Sequence, residues 1–178
     1  MSKCIVVGVT GCVGAFKSVQ LVSDLVKKGY DVEVIMTKNA TEFNQPLQFE
    51  SLTQHKVMVD TFDRNFEYST QHISISKKAD LFIVTPATAN FIAKAVHGLA
   101  NDMLSTTFLA CDCPKIIAPA MNTKMYLNPI TQDNLKLCEK YGFRVLSPVS
   151  GHLACGDDGM GKLAGLTEHM DVIEEMLV

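Results

Sequence analysis

Residues 3–9, KCIVVGV, are apolar almost throughout and show no alternation of inward and outward positions. A strand of that kind has no face to offer water, so its sheet needs helices on both sides. The following TGCVGAFK turns the chain into a segment whose Val19, Val22, Leu25 and Val26 recur at helical spacing. Lys27-Lys28-Gly29 closes that helix, and DVEVIM at 31–36 reads as a second strand. The alternation continues with short helices in 39–52 broken at Pro46, a loop over 60–71, and a strand at 81–85 stopped by Pro86. Beyond these, 89–110 is helical with a break near Gly98, 115–118 is a strand, 131–141 a helix, 144–146 a short strand and 167–177 a last amphipathic helix. The pattern predicts one α/β domain over 1–178 with a covered parallel sheet, whose ligands lie beyond the carboxyl ends of the strands.

A chain of 178 residues that is 47% hydrophobic fits one such core. Its 16 basic and 19 acidic residues, net charge -3, form no continuous basic tract, which excludes a nucleic-acid backbone or an anionic membrane as partner. No apolar run is long enough to cross a bilayer. Of the six cysteines, Cys4 and Cys12 sit in an apolar stretch and Cys138 in an expected helix, with nothing resembling a secretion signal before them. That usage predicts reduced thiols and a cytoplasmic protein.

Three loops follow expected strands. In Gly8-Val9-Thr10-Gly11-Cys12-Val13-Gly14 the glycines let backbone amides approach a phosphate at a helix amino terminus. The turn lacks the full dinucleotide signature and the Walker Lys-Ser/Thr pair, and the second strand ends in Met36-Thr37-Lys38 rather than a ribose-binding acid. Taken alone, it serves either close packing or a mononucleotide. Pro86-Ala87-Thr88-Ala89-Asn90 and Pro119-Ala120-Met121-Asn122-Thr123-Lys124-Met125-Tyr126 each place small polar groups at a strand mouth, although proline and asparagine also simply end strands and form turns. Residues 151–163, GHLACGDDGMGKL, are expected to build neither strand nor helix, a glycine-rich flap exposing Cys155. The lone Cys111-Asp112-Cys113 has no second pair or suitably spaced histidine, so no metal site is expected.

TGCVGAFK, the histidine of Gln71-His72-Ile73, PATAN, PAMNTKMY and GHLACGDDGMGKL together resemble the homo-oligomeric flavin-containing cysteine decarboxylases, over essentially the whole chain. The family's second motif usually reads PASANT and its third ends in tryptophan, where this chain has Thr88, Phe91 and Tyr126. The resemblance implies a three-layer αβα, flavodoxin-like or Rossmann-like fold, with FMN bound where subunits of a trimer meet and the trimers able to build a dodecamer. It assigns Gly11, Cys12 and Val13 to the phosphate-side turn, Thr37 to the second strand end, and Thr88, Ala89 and Asn90 to the flavin loop, with Ser105 and Thr106 as further hydroxyls. It carries the active-site base onto His72, substrate-carboxylate recognition onto Asn122, a pocket-shaping role onto Met125 and the proton donor onto Cys155. The implied reaction is oxidative decarboxylation of N-((R)-4-phosphopantothenoyl)-L-cysteine to 4'-phosphopantetheine in coenzyme A biosynthesis, beside a separate phosphopantothenate-cysteine ligase. Decarboxylation of a peptidyl cysteine, flavin prenyl transfer and a non-catalytic regulatory subunit are the alternatives. Each residue also has a plainer reading: His72 as a structural histidine, Asn122 as a turn cap, Cys155 as a surface thiol.

Overall fold

The computed structural model describes residues 2–63 and 70–177. Strands β1 (Cys4–Val9), β2 (Asp31–Met36), β3 (Leu81–Ala87), β4 (Lys115–Pro119) and β5 (Arg144–Val145) pair in parallel in the order β2-β1-β3-β4-β5. Every residue of β1 and β3 is buried, as the unalternating sequence of β1 requires. Helices α1 (Phe16–Lys27), α2 (Pro46–Thr53), α3 (Gln71–Lys78), α4 (Ala89–His97), α5 (Met103–Ala110), α6 (Thr123–Tyr126), α7 (Pro129–Lys140) and α8 (Leu166–Met176) connect and cover these strands.

Successive side chains of a strand point to opposite faces, and each face has its own core. Ile5, Val7 and Val34 meet Leu21, Leu25, Phe49 and Ile173 from α1, α2 and α8. On the other face Val6, Phe82 and Ile117 meet Ile75, Phe91, Phe108 and Leu135 from α3, α4, α5 and α7. Phe108 stands edge-on to Phe82, Phe91 and Phe143 at centroid distances of 5.2, 5.3 and 5.3 Å, contacts worth about 0.5–1.5 kcal/mol each beyond the area they bury. The result is the three-layer αβα arrangement. Among the described residues no helix is long and apolar enough to cross a membrane.

Some elements differ from the sequence reading, each for a local reason. β3 continues through Pro86 to Ala87, because the ladder to β4 shifts register after Val84 and asks no N–H of the proline. α7 begins at Pro129, since Asn128 caps it by accepting the Ile130 N–H (3.0 Å). Residues 71–78 form α3, in which Ile75 is buried while Ile73, two positions earlier and so on the opposite side of the helix, is exposed. The expected 60–71 loop falls partly on 64–69, outside the described residues.

The largest correction concerns 151–163, which was expected to form neither helix nor strand. Strands β6 (Val149–His152) and β7 (Asp158–Lys162) form an antiparallel hairpin with Gly151 opposite Gly159 and His152 opposite Asp158. Its glycines serve close approach, a use strands do make of glycine. The Met121 N–H donates to the Gly161 carbonyl (3.0 Å), docking the hairpin on the loop between β4 and α6. Gly161 has φ +131°, and a Cβ there would fall on the Met121 carbonyl.

A buried polar relay fixes the end of β3. His169 on α8 is 1% exposed; its Nδ1–H donates to the Gly165 carbonyl (2.7 Å), leaving Nε2 to accept from the Thr85 hydroxyl (2.8 Å). Ser18 on α1 donates to the Thr85 carbonyl (2.6 Å). Burial lowers the His169 pKa below 6.5; the Gly165 bond opposes that shift, and the Lys17 charge adds to it. Between the depressed folded pKa and the ordinary one, the unfolded chain binds a proton that the folded chain refuses. His169 therefore contributes stability present above about pH 6.5 that is lost as pH falls through its folded pKa. Urea midpoints at pH 7.5 and 5.5 should show this decline, and it should be shallower in His169→Gln; equal slopes would contradict the assignment.

Candidate active site

The chain runs from β1 outward to β2 and then crosses to β3 on the other side of β1, so the carboxyl ends of β1 and β3 border a crevice. In open sheets of this kind that switch point is where ligands bind. A cavity of about 400 Å³ lies there, lined by Thr10, Gly11, Thr37, Asn39, Thr88, Ala89, Asn90 and Met125 among others. Thr37 and Thr88 each begin a turn or helix, accepting N–H groups from Ala40 (3.2 Å) and Phe91 (3.3 Å) respectively. These bonds engage the hydroxyls as acceptors, so each O–H remains a donor. A Cβ on Gly11 would stand 2.5 Å from Asn39 Cβ, so only glycine lets the first turn close against the end of β2.

Sequence reasoning missed the residues that tie these loops together. Thr10 is buried, donates to the Pro86 carbonyl (2.6 Å) and accepts the Thr88 N–H (3.1 Å), locking the first turn to the proline loop. Lys94 and Asp102 form a half-buried ion pair at 2.6 Å on the cavity wall. Burial would raise the Asp102 pKa, but hydrogen bonds from Lys94 and from the backbone and hydroxyl of Ser105 hold it below the usual carboxylate range. Ser105 is thereby committed to capping α5, and Thr106 donates to the Ala100 carbonyl (3.2 Å). Neither lines the switch-point cavity.

A second cavity of about 400 Å³ opens between the first turn and the hairpin, lined by Cys12, Val13, Phe16, Lys17, Met121, Asn122, Cys155 and Lys162 among others. Here Asn122 and Cys155, 33 positions apart, come together: Asn122 Nδ2 donates to Cys155 Sγ at 3.3 Å. The amide is oriented by its other end, since Asn122 Oδ1 accepts the Lys124 N–H (2.9 Å) as the cap of α6. The capping and binding readings of Asn122 are therefore compatible. Cys155 is exposed near the hairpin tip, 3.5 Å from Asp157 Oδ2. Burial pushes the Cys12 thiol pKa above its usual value, partly offset by a Gly14 backbone bond. Cys12 and Val13 thus face the hairpin cavity while Gly11 faces the switch point; Met125 lines the switch-point cavity rather than that of Asn122.

His72 lies outside both. It is half-buried in the first turn of α3, which packs on α5. At the far end of α3, Lys78 bonds Asp31 (2.9 Å) and Glu33 (2.6 Å) of β2. Asp31, Glu33 and His55 are the one three-group cluster of metal-ligating side chains among the described residues, and the Lys78 ammonium already occupies both carboxylates.

A switch-point crevice walled by a glycine turn and two hydroxyl-capped turns, with no ribose-binding acid ending β2, is the architecture of a mononucleotide-binding flavoprotein. The flavoprotein family model matches residues 1–178. The chain is 42% identical to a probable phosphopantothenoylcysteine decarboxylase of Streptococcus mutans, covering 99% of this chain and 100% of that one. It is 41% identical to the coenzyme A biosynthesis bifunctional protein CoaBC of Borreliella burgdorferi over 91% of this chain, and spans 41% of that relative's length. Among solved structures it is similar to a cysteine-to-serine mutant of PPC decarboxylase complexed with pantothenoylaminoethenethiol, at TM-score 0.87 and 25% identity over 98% of each chain. The chain belongs to the phosphopantothenoylcysteine decarboxylase family of flavoproteins.

Proposed function

We propose that this chain uses FMN to decarboxylate N-((R)-4-phosphopantothenoyl)-L-cysteine to 4'-phosphopantetheine. The observation that carries the reading is the Asn122–Cys155 contact at 3.3 Å, which sets a carboxylate-binding amide beside an exposed thiol next to a mononucleotide-sized crevice. The donor set suits FMN: Gly11 gives close backbone approach, the Thr37 and Thr88 hydroxyls donate, and the amino terminus of α4 with Ala89 and Asn90 favours an anion. When bound, FMN supplies reversible two-electron chemistry, so that carbon dioxide leaves an oxidised cysteinyl group instead of leaving an unstabilised carbanion.

The remaining steps belong to side chains. Asn122 Nδ2 has a second N–H beyond the one aimed at Cys155, and that donor binds and orients the substrate carboxylate. Cys155 returns a proton to the decarboxylated ene-thiol, and the docked hairpin covers the reacting atoms and excludes water. His72 is the base of the oxidative step. Its place outside both cavities supports a neighbouring subunit supplying it, in the homotrimer, with trimers building a dodecamer, that the family resemblance implies. The substrate is a cysteine amide, so an amide-forming phosphopantothenate-cysteine ligase is the partner reaction, a pairing supported by the bifunctional relatives. The burial of Cys4, Cys111 and Cys138 as apolar core side chains supports a cytoplasmic setting.

Purified protein should be yellow, release FMN on extraction, assemble in multiples of three by native mass spectrometry, and yield both carbon dioxide and 4'-phosphopantetheine from the phosphorylated substrate. Full activity in a flavin-free preparation, or no decarboxylation by an FMN-loaded one, would overturn the reading.

A further inference from the structure

We propose that Lys17 and Lys162 form the site for the phosphate of the substrate's phosphorylated arm and thereby set the preference for a phosphorylated substrate; this rests on the function proposed above. Both line the hairpin cavity with Asn122 and Cys155. Neither forms an ion pair with a carboxylate among the described residues; the one polar partner of Lys17 is the Leu163 carbonyl at 3.3 Å. In the switch-point cavity Lys94 is spent on Asp102, leaving Lys38 as the single lysine there without a carboxylate among the described residues, whereas the hairpin cavity holds two. Two ammonium groups without counterions in one cleft are a ready site for a dianionic group.

The spacing agrees. Lys162 ends β7 at the root of the hairpin, opposite Val149, and Lys17 reaches the adjoining Leu163. Cys155 lies near the tip, beyond the His152–Asp158 pair. From Asp158 to Lys162 is four residue steps of strand, about 13 Å. The arm runs through about twelve covalent bonds from the cysteine carboxylate carbon to phosphorus, the reach of about four extended residues or roughly 13–14 Å. With its reacting end beside Cys155, an extended arm of that length is long enough to bring its phosphate to the root. Charge points the same way, because the tip carries Asp157 and Asp158 while the root carries the two lysines. Between the two ends, Val13 and Phe16 line the wall although they are 55% and 63% exposed. They offer the apolar surface that the branched middle of the arm would cover.

Turnover of the phosphorylated substrate and of its unphosphorylated counterpart, pantothenoylcysteine, tests this in the FMN-loaded protein. Wild type should favour the phosphorylated compound in kcat/KM. Lys17→Gln and Lys162→Gln should each reduce that preference by about tenfold or more, chiefly through KM, because each removes a charge-assisted hydrogen bond. Lys17→Arg and Lys162→Arg, which keep the charge, should retain most of it. An unchanged preference, an equal loss on both substrates, or loss of bound FMN from the glutamine variants would overturn the phosphate site while leaving the decarboxylase reading intact. Wild-type protein that turns over neither compound would instead remove the function proposed above, and this site with it.

Discussion

Substituting His72 with asparagine is expected to lower turnover by about 10²–10⁴-fold, the usual contribution of a positioned general base, while the protein keeps its flavin and its unfolding midpoint. His72 is half-buried, stands in the first turn of α3 and lines neither cavity. The helix is held by Ile75 in the core and by Lys78 on Asp31 and Glu33, none of which the substitution touches. Asn122→Asp should be comparably severe, for a different reason. The carboxylate would replace the donor Nδ2 with an acceptor, confronting the substrate's own carboxylate with like charge. If a site takes His72 from one subunit and Asn122 from the next, oligomers assembled from a mixture of the two variants will recover a fraction of wild-type activity. Absence of recovery in verified mixed oligomers would place both residues of a site in one subunit. Wild-type turnover in either variant at saturating substrate would remove that residue from the mechanism.

What could be read in advance follows from how local each signal is. β1 announces itself because a strand buried on both faces has nowhere to put a charged side chain, and β3 beside it shares that property. The loops at the carboxyl ends of β1, β3 and β4 were legible through glycine and proline, whose backbone preferences are intrinsic. Roles fixed by long-range pairing were not. Thr10 looks like any turn threonine until Pro86 and Thr88, 76 and 78 positions away, close on it. Ser105 shows the opposite case, a local one, since its hydroxyl bonds Asp102 three positions earlier in the cap of α5. The hairpin was misread because its strand positions hold glycine for close approach to Met121, and the same residues in isolation signal a loop. His72 marks a limit of a different kind, since neither of the two cavities described above includes it.

Cys155→Ser should separate two half-reactions that the wild-type protein couples. The thiol is exposed, oriented by Asn122 Nδ2 at 3.3 Å and carried by a docked hairpin, so serine can occupy the same position with little effect on the fold. A hydroxyl is a far weaker acid than a thiol, and proton return to the decarboxylated ene-thiol should slow by orders of magnitude while loss of carbon dioxide proceeds. Substrate binding should change little, because Asn122 stays anchored through the Lys124 N–H. Under anaerobic mixing the flavin absorbance should therefore bleach and stay bleached, with the ene-thiol identified by mass and little 4'-phosphopantetheine formed. Bleaching followed by normal recovery and normal product would take the proton-donor role away from Cys155. A variant that fails to bleach would move Cys155 to an earlier task, in binding or thiol oxidation. The Asn122 contact bears on that choice, because a thiol held by the amide proposed to bind the carboxylate would stand where carbon dioxide departs and the new C–H bond must form.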